Sequence, residues 1–264
     1  MLNIISKIAS QRRIKLIFMN NTIILIPSRM AATRLPNKPL FKINNISIIN
    51  HVYRKAQSTE IGDVYVATGD DRIYEEVTKN GGKCVLTKKN HKTGTDRIFE
   101  AFKKLNNKKV DYIINLQGDE PMIDIDDVRN LYKQAINNKS EIATLACKLK
   151  NKLMLNNSDI VKVVTEKKLS KYANTKAKTF LRKVLDNNQA NIYHHIGIYL
   201  YKVSILEKFV NLKQTENEIS QKLEQLRAME NNISIDVFLA NSSPIGVDTQ
   251  EDYLEIKKLM EYKN

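Results

Sequence analysis

A short loop between Ile26 and Leu40 contains three cations and no acidic residue. It reads IPSRMAATRLPNKPL and follows an apolar run, so that Arg29, Arg34 and Lys38 lie close together along the chain. An arginine guanidinium can bind two phosphate oxygens at once, and a lysine ammonium supplies a compact point charge. Pro36 and Pro39 stiffen the backbone of the loop. The loop is therefore a candidate site for a phosphate chain, and a solvated basic loop is the alternative interpretation.

Acidic residues in two other segments could face this loop. Asp119 and Glu120 follow an apolar run in LQGDEP, where Gly118 permits a close approach of the backbone, and Asp248 follows another apolar stretch. Carboxylate oxygens, together with phosphates and water, are the ligands that Mg²⁺ prefers. Each acid alone could instead cap a turn or a helix. Together with the basic loop, Asp119 and Asp248 predict a Mg²⁺–nucleotide site.

The elements that must position these residues alternate in the order of a parallel sheet wrapped by helices. Short apolar runs predict buried strands, and the segments of helical period between them predict amphipathic helices. Such sheets bind ligands at the carboxyl ends of their strands, which is where the basic loop and Asp119 lie. The predicted strands are Thr22–Pro27, Asp63–Thr68, Lys83–Thr87 and Tyr112–Leu116, and the predicted helices are Ser47–Gln57, Asp70–Gly82, Asp96–Leu105 and Ile125–Ile136.

The second half of the chain contains longer apolar runs, which predict the strands of a mixed sheet. A helix is predicted over Ser220–Asn231, and another after Thr249, which is a candidate N-cap. The pattern is weakest from about residue 150 to residue 191. The sequence thus predicts an α/β fold with a Rossmann-like, mostly parallel mixed sheet flanked by helices, in a single domain over residues 20–264. The strand runs are IATLACKL, IVKVVT, NIYHHIGIYLY and ISIDVFLA.

Length and composition fit a soluble globular protein. The 264 residues, 42% of them hydrophobic, are enough to bury a core, and no apolar segment reaches the ~20 residues that span a bilayer. The net charge of +14 comes mostly from scattered lysines, without tryptophan and without a sustained basic run, which disfavours a nucleic-acid-binding surface. Cys84 and Cys147 lack any metal or redox spacing. We therefore expect buried thiols in a cytoplasmic protein that binds neither nucleic acid nor, stably, membranes.

The first 19 residues form a separate segment. They contain four basic residues and no acid, a composition that also occurs in weak targeting peptides. Met19 stands directly before the first predicted strand. We expect residues 1–19 to be an N-terminal extension, either upstream of the native start or disordered, with targeting as the alternative.

Six ordered blocks of the sequence resemble the 3-deoxy-manno-octulosonate (KDO) cytidylyltransferases, from about Thr22 to the last helix. Enzymes of that family join CTP to KDO and release pyrophosphate, which forms CMP-KDO for lipopolysaccharide biosynthesis. The resemblance implies the nucleotide-diphospho-sugar transferase type of fold, Mg²⁺ as cofactor and a homodimer, with residues of about 150–200 forming a dimerisation arm and sugar-side subregion. The blocks are IPSRMAATRLPNKPL, HKTGTDR, LQGDEPM, HHIGIYLY, LEQLR and GVDTQED.

The resemblance also implies a role for individual residues. Arg34 and Lys38 would bind the triphosphate and ease the departure of pyrophosphate, and Asp119 would act with Asp248 as a metal ligand. Arg34, Lys38 and Asp119 are thus the implied catalytic residues. The further implied nucleotide-binding residues are Arg29, Thr93, Gly94, Thr95 and Gln117, and the implied sugar-binding residues are Arg97, His195, Tyr199, Glu224 and Gln225.

The sugar-side residues each have a structural alternative. His195 could be a satisfied core histidine, Tyr199 could serve sheet packing, and Glu224 could form an ordinary surface pair with Arg227.

One segment departs from the family pattern. Relatives carry a Ser-Arg pair followed by Ile-Pro-Trp where this chain reads KYANTKAKTFLRKV, so the resemblance assigns no contacts to Asn174–Thr179, and Arg182 or Lys183 is a candidate substitute.

Three other functions stay open: a cytidylyltransferase for another 2-keto sugar acid such as sialic acid, a nucleic-acid-binding protein, and a binding protein without turnover. The basic TRLPNKPL loop favours KDO over sialic acid, since sialate-activating relatives usually carry glycine and serine there.

Overall fold

A computed structural model of the protein describes residues 21–31, 34–171, 173–184, 190–241 and 243–262. The expectation for residues 1–19 lies outside this part of the chain. Within it, a nine-stranded mixed sheet carries helices on both faces, which confirms the predicted α/β class. A separate two-stranded sheet is formed by β2 (Lys42–Ile43) and β3 (Ile46–Ser47). The nine strands of the main sheet are β1 (Thr22–Ser28), β4 (Asp63–Thr68), β5 (Cys84–Leu86), β6 (Tyr112–Asn115), β7 (Ile142–Cys147), β8 (Lys162–Thr165), β9 (Thr175–Leu181), β10 (Ile192–Lys202) and β11 (Ile235–Leu239).

The four strands predicted in the first half lie side by side and parallel, in the order β5–β4–β1–β6. Side chains of β1 alternate between two hydrophobic clusters, with Ile24 and Ile26 in one and Ile23 and Leu25 in the other. Both faces of the strand are therefore buried, which explains why it reads as a continuous apolar run.

The helices cover both faces of this sheet. One cluster takes its helical side chains from the helices Ile48–Ser58, Asp71–Lys79 and Ile125–Asn138, while the other takes them from Gly94–Leu105, Val203–Val210 and Gln225–Glu230. Thr249 caps the last helix by accepting the backbone N–H of Asp252, as predicted. The helices are α1 (Ile48–Ser58), α2 (Asp71–Lys79), α3 (Gly94–Leu105), α4 (Ile125–Asn138), α5 (Val203–Val210), α6 (Glu216–Gln221), α7 (Gln225–Glu230) and α8 (Gln250–Glu261), with 3₁₀ turns at Lys38–Leu40 and Lys152–Leu155.

The second half of the sheet is largely antiparallel. The long strand β10 pairs antiparallel with β6, β7 and β8, and β9 pairs antiparallel with β8 and β11, whereas β7 and β11 are parallel. The pairings close a circuit through β10, β7, β11, β9 and β8. The prediction of a mostly parallel sheet therefore holds for the first half only, because β10 reverses direction beside β6.

Three local predictions differ from the structure. The helix predicted over Ser220–Asn231 is divided into α6 and α7, because Lys222 adopts a left-handed conformation with φ 53° and ends the first of them. The helix α5 was not predicted, and neither was β9, which contains most of the altered Asn174–Thr179 segment. Among the described residues, no helix is long and apolar enough to cross a membrane.

Candidate active site

A cavity of about 520 Å³ opens at the carboxyl ends of β1 and β6. Three segments approach one another here: the basic loop, residues 91–94 and residues 117–119, joined by Arg97, Glu224 and Asp248. Glycine permits this proximity, since a Cβ at Gly118 would lie 2.8 Å from the carbonyl oxygen of Pro27. The cavity thus occupies the sheet edge where the sequence predicts a ligand.

Lys38 lies between the two predicted metal ligands. Its Nζ atom is 2.5 Å from Oδ2 of Asp119 and 3.0 Å from Oδ1 of Asp248. It also donates to the carbonyl oxygen of Val247 at 2.9 Å. Burial lowers the pKa of Lys38, but the two carboxylates outweigh this effect and raise the pKa above its ordinary value. The side chain, 13% exposed, is therefore a charged ammonium enclosed by oxygens.

Arg34 approaches the same group from the rim of the cavity. Its Nη2 atom donates to Oδ2 of Asp248 at 3.0 Å, so both oxygens of that carboxylate contact a cation. Arg34 is 57% exposed, and an ion pair so open to water contributes little to stability. Arg29, beyond the end of β1, also lines the cavity and is exposed. The structure therefore brings the three cations of the loop to one cavity, with Lys38 innermost.

The oxygen atoms around Lys38 are of the kind that Mg²⁺ binds. The carboxylates of Asp119 and Asp248 converge on a single position, and a backbone carbonyl faces it as well. No group of three or more His, Cys, Asp or Glu side chains suited to a metal occurs in the described part of the chain. The protein would thus supply two carboxylates, and phosphate oxygens and water would complete the six positions that Mg²⁺ usually takes.

Glu120 has a different environment from its neighbour Asp119. Its Oε2 atom is buried without a hydrogen-bond partner among the described residues. Burial, with the nearby charges of Asp119 and Asp248, raises the pKa of Glu120 to about 8. Of the acidic pair, Asp119 therefore lines the cavity, whereas Glu120 is a carboxyl that is mostly protonated near neutral pH.

The residues with an implied nucleotide role lie along one wall. Thr93 caps α3 by accepting the backbone N–H of Asp96 at 3.0 Å, and a Cβ at Gly94 would meet Pro27 at 3.3 Å. Gln117 lines the cavity and donates to the carbonyl oxygen of Gly197 at 3.0 Å. Thr95, which is 1% exposed, lies behind this wall.

Arg97, an implied sugar ligand, is buried at the edge of the cavity and faces the loop before α3. Its guanidinium donates to Oγ1 of Thr87 at 2.7 Å and to the carbonyl oxygens of Lys88 and Lys89, both at 3.1 Å. Burial, and secondarily the charge of Arg29, lowers the pKa of Arg97. In this structure Arg97 holds the loop in place.

The loop before α3 also carries lining residues that the sequence analysis did not single out. His91 and Lys92 line the cavity together with Ser28. The Nε2 atom of His91 lies 2.5 Å from Oε2 of Glu100, one helical turn beyond Arg97. The HKTGTDR block was the available signal, because His91 begins it.

His195 and Tyr199 lie beneath the cavity and are not among its lining residues. The His195 ring contacts Phe180 and Tyr199, with centroids 5.0 and 5.4 Å away, and its Nε2 is 3.0 Å from Oγ1 of Thr144. Burial lowers the pKa of His195 to about 3, so this imidazole is neutral. Burial likewise raises the pKa of Tyr199, whose hydroxyl has no partner among the described residues.

Glu224 is the implied sugar-side acid that reaches the cavity. Its Oε2 accepts a hydrogen bond from Thr95 at 2.9 Å, and its Oε1 is buried without a partner among the described residues. Burial raises the pKa of Glu224 to about 7. Gln225 follows as the half-buried first residue of α7. Arg227 forms its ion pair with buried Glu218, so the Glu224–Arg227 surface pair does not occur.

The altered segment lies in β9, outside the cavity lining. Arg182, the suggested substitute cation, donates to three backbone carbonyls, those of Gln221 at 2.6 Å, Ser158 at 3.0 Å and Lys222 at 3.1 Å. Its guanidinium thus joins the end of β9 to two neighbouring loops.

Comparisons with known proteins agree with this geometry. The cytidylyltransferase family model matches residues 23–235. The 3-deoxy-manno-octulosonate cytidylyltransferase of Rhodopseudomonas palustris is 40% identical over 240 residues, which cover 90% of this chain and 97% of the relative. That of Nitrobacter winogradskyi is 38% identical over 234 residues, covering 88% of this chain and 91% of the relative.

Solved structures extend the likeness to three dimensions. The structure of CMP:2-keto-3-deoxy-manno-octonic acid synthetase complexed with CTP superposes with a TM-score of 0.83 at 33% identity, over 92% of this chain and 100% of that one. UDP-glucose pyrophosphorylase complexed with UDP-glucose, at 14% identity and a TM-score of 0.70, covering 92% of this chain and 100% of that one, shares the fold. The chain belongs to the 3-deoxy-manno-octulosonate cytidylyltransferase family.

Proposed function

We propose that this protein is an enzyme that transfers the cytidylyl group of CTP to KDO, giving CMP-KDO and pyrophosphate. Its family membership supports the reaction. The observation that carries the proposal is the convergence of Lys38, Asp119 and Asp248 in one cavity, with Arg34 at its rim. Such a site can bind a polyphosphate and its counter-ion together.

In the proposed reaction, the anomeric C2 hydroxyl of KDO attacks the α-phosphorus of CTP and loses its proton. The new O–P bond replaces the bond between the α-phosphorus and the pyrophosphate oxygen, and pyrophosphate leaves. The chain contributes positioning and charge: Arg29, Arg34 and Lys38 bind the triphosphate and offset the negative charge that grows on the leaving group. When bound to Asp119 and Asp248, Mg²⁺ would polarise the α-phosphate.

The cavity walls suggest how the substrates are divided. Residues 91–94 and Gln117 would contact the nucleotide, since they lie beside the basic loop. Glu224, which adjoins residues 91–94 through the hydrogen bond from Thr95, would face the sugar, and its carboxyl, with a pKa of about 7, can either accept or donate a hydrogen bond to a sugar hydroxyl. His195 and Tyr199 would support the sugar side from the core through their ring contact.

The direct test is a pyrophosphate-release assay with purified protein, CTP and KDO, with and without Mg²⁺. Parallel reactions replace KDO by sialic acid and CTP by ATP, GTP or UTP. We expect release with CTP and KDO in the presence of Mg²⁺, and much less with any other pair. Absence of release from well-folded protein in every combination would refute the enzyme, and release with sialic acid alone would favour the related 2-keto sugar acid.

Asp119→Ala tests the metal role within the same assay. We expect activity to fall at least a hundredfold, because loss of a ligand removes charge stabilisation from the transition state. Asp63→Ala is the matched control, since Asp63 is an exposed acid that pairs only with Lys83 among the described residues. Near wild-type activity of Asp119→Ala would exclude the assigned role.

We further propose that the protein is a cytoplasmic homodimer and that its product serves lipopolysaccharide biosynthesis. The resemblance supports these statements, as does the position of residues 150–200, which extend the sheet beyond its parallel half through β8, β9 and β10. Light scattering of the purified protein would measure the oligomeric state. A mass equal to a single chain at micromolar concentration would refute the homodimer.

A further inference from the structure

We propose that Lys38 is also a positioning residue, whose ammonium holds Asp119 and Asp248 together until the nucleotide arrives. The Lys38 ammonium occupies the position between the carboxylates that a divalent cation would need. The metal then binds tightly only after a triphosphate has drawn Lys38 away. The inference rests on the proposed function only for the identity of the triphosphate. The contacts from which it is argued are all between residues of this chain.

The hydrogen bonds of Lys38 leave it no free donor. An ammonium group has three N–H donors. In this structure they face three oxygens: Oδ2 of Asp119 at 2.5 Å, Oδ1 of Asp248 at 3.0 Å and the carbonyl oxygen of Val247 at 2.9 Å. Lys38 therefore cannot donate to a phosphate without giving up at least one of these contacts.

The carboxylates are occupied as well. Oδ1 of Asp248 accepts from Lys38 while Oδ2 accepts from Arg34, so neither oxygen of Asp248 is free of a cation. A divalent ion bound between Asp119 and Asp248 would lie within a few ångströms of the ammonium, and two cations at that separation repel each other strongly. Lys38 and the metal thus exclude each other from this position.

Charge balance indicates what would release Lys38. Arg34 and Lys38 offset the charges of Asp119 and Asp248, so a divalent cation arriving alone would leave an excess of positive charge. A triphosphate brings both negative charge and new acceptors for the two cations. Only the side chain needs to move, because Lys38 begins a 3₁₀ turn that is fixed by buried Pro39. Triphosphate and metal should therefore each increase the affinity for the other.

The test measures Mn²⁺ binding by the loss of its free electron paramagnetic resonance signal, with neither nucleotide nor sugar present. Lys38→Met removes the ammonium but retains an unbranched side chain. We expect this variant to bind one Mn²⁺ about tenfold more tightly than the wild type, since the ion would restore the lost counter-charge. Lys133→Met, at an exposed position of α4, is the charge-matched control, and we expect it to bind Mn²⁺ with wild-type affinity.

The double variant Lys38→Met/Asp119→Asn locates the gained site. If Mn²⁺ binds between the carboxylates, the second change should abolish the gain. Circular dichroism and a thermal melt verify folding of each variant, and Lys38→Gln serves the same comparison if Lys38→Met does not fold. Affinity of the Lys38 variant equal to the wild type, or a gain that survives Asp119→Asn, would overturn the proposal. Because the assay contains no substrate, this result is independent of whether pyrophosphate release is observed.

Discussion

At the scale of single residues, the structure separates side chains that look equivalent in the sequence. Lys38 and Arg34 belong to one basic loop, yet the Lys38 side chain is 13% exposed and the Arg34 side chain 57%. The difference arises because Asp119 and Val247 come from distant segments that enclose Lys38 only in the folded chain. Residue type could therefore predict the phosphate chemistry of the loop, but not which cation would be innermost.

Arg34→Lys tests whether the loop needs a guanidinium or only a charge. A lysine keeps the charge but cannot bind two phosphate oxygens in a fork. We expect kcat/KM for CTP to fall about tenfold to a hundredfold while the melting temperature stays unchanged, because Arg34 is exposed. Arg54→Lys, an exposed change on α1, is the control. Activity of Arg34→Lys equal to that of Arg54→Lys would show that charge alone suffices.

Glu224 gives the stability of the protein a pH dependence. Burial raises its pKa from the ordinary 4.5 to about 7, so between these values the folded protein keeps a proton that the unfolded chain has released. The contribution of the protonated Glu224 to the stability of the folded protein is therefore fully present below pH 4.5 and is lost as the pH rises through about 7. The side chain of the Glu224→Gln variant cannot ionise. Between about pH 5 and pH 8, the free energy of unfolding of this variant should therefore decrease by about 2 kcal/mol less than that of the wild type.

Chemical denaturation at several pH values measures this difference. Glu207→Gln, an exposed acid on α5, is the control and should follow the wild-type curve. Parallel curves for Glu224→Gln and the wild type would show that the carboxyl of Glu224 titrates normally.

The sugar-side residues show where sequence reasoning stops at this scale. Glu224 and His195 are both polar residues within family-like blocks, but Glu224 lines the cavity and His195 is 8% exposed among rings. Strand alternation could not place His195 relative to Tyr199, because β10, which contains both, has a register shift between Ile196 and Tyr199. Such an irregularity changes which face a side chain takes, and apolar periodicity does not reveal it.

At the scale of elements, α3 positions one wall of the cavity through its side chains. Arg97 binds the carbonyl oxygens of Lys88 and Lys89, and Glu100 accepts the backbone N–H of Lys88 and contacts His91. Burial alone would raise the pKa of Glu100, but the hydrogen bonds from Lys104, the Lys88 N–H and His91 lower it to about 2. The helix thus fixes the loop that precedes it, and with it His91 at the cavity.

Glu100→Gln should loosen this loop without altering the reaction centre. The amide can still accept the Lys88 N–H, but it has no charge for His91 or Lys104. We expect KM for CTP to rise about fivefold to tenfold, with kcat and KM for KDO nearly unchanged, because the loop includes residues that we propose to contact the nucleotide. Steady-state kinetics with each substrate varied separately measures this. Equal increases in both KM values would indicate general loss of structure.

The elements themselves were predictable to different degrees. The strands β1, β4, β5 and β6 were predicted within two residues, since each is a short apolar run between turn signals. The prediction that all four are buried was wrong for β5, an edge strand whose residues are half-buried or exposed. The division at Lys222 was not, because a lysine in a left-handed conformation carries no glycine-like signal. Nor was β9, whose exposed lysines hide its alternation and whose partner β11 lies far away in the sequence. Tertiary pairing, not local propensity, makes this segment a strand.

At the scale of the whole molecule, the charge of +14 acts at long range. A second cavity of about 530 Å³ adjoins the first, and the two share Arg29, His91, Lys92 and Arg97. Exposed Lys89 adds to this positive rim. A positive field centred on a cleft attracts a polyanion such as CTP from solution and accelerates its encounter with the protein.

Ionic strength should therefore affect the rate at which CTP binds more than the rate of the chemical step. Raising NaCl from about 20 to 200 mM shortens the Debye length to about 7 Å, and we expect kcat/KM for CTP to fall about threefold to tenfold with a smaller change in kcat. The scattered lysines should attract duplex DNA only weakly at the higher salt, because they form no sustained stripe along the chain. Steady-state kinetics at both salt concentrations, with and without excess DNA, measures both effects. DNA that competes with CTP at about 200 mM salt would instead favour a nucleic-acid-binding protein, since only a clustered cationic surface keeps its affinity there.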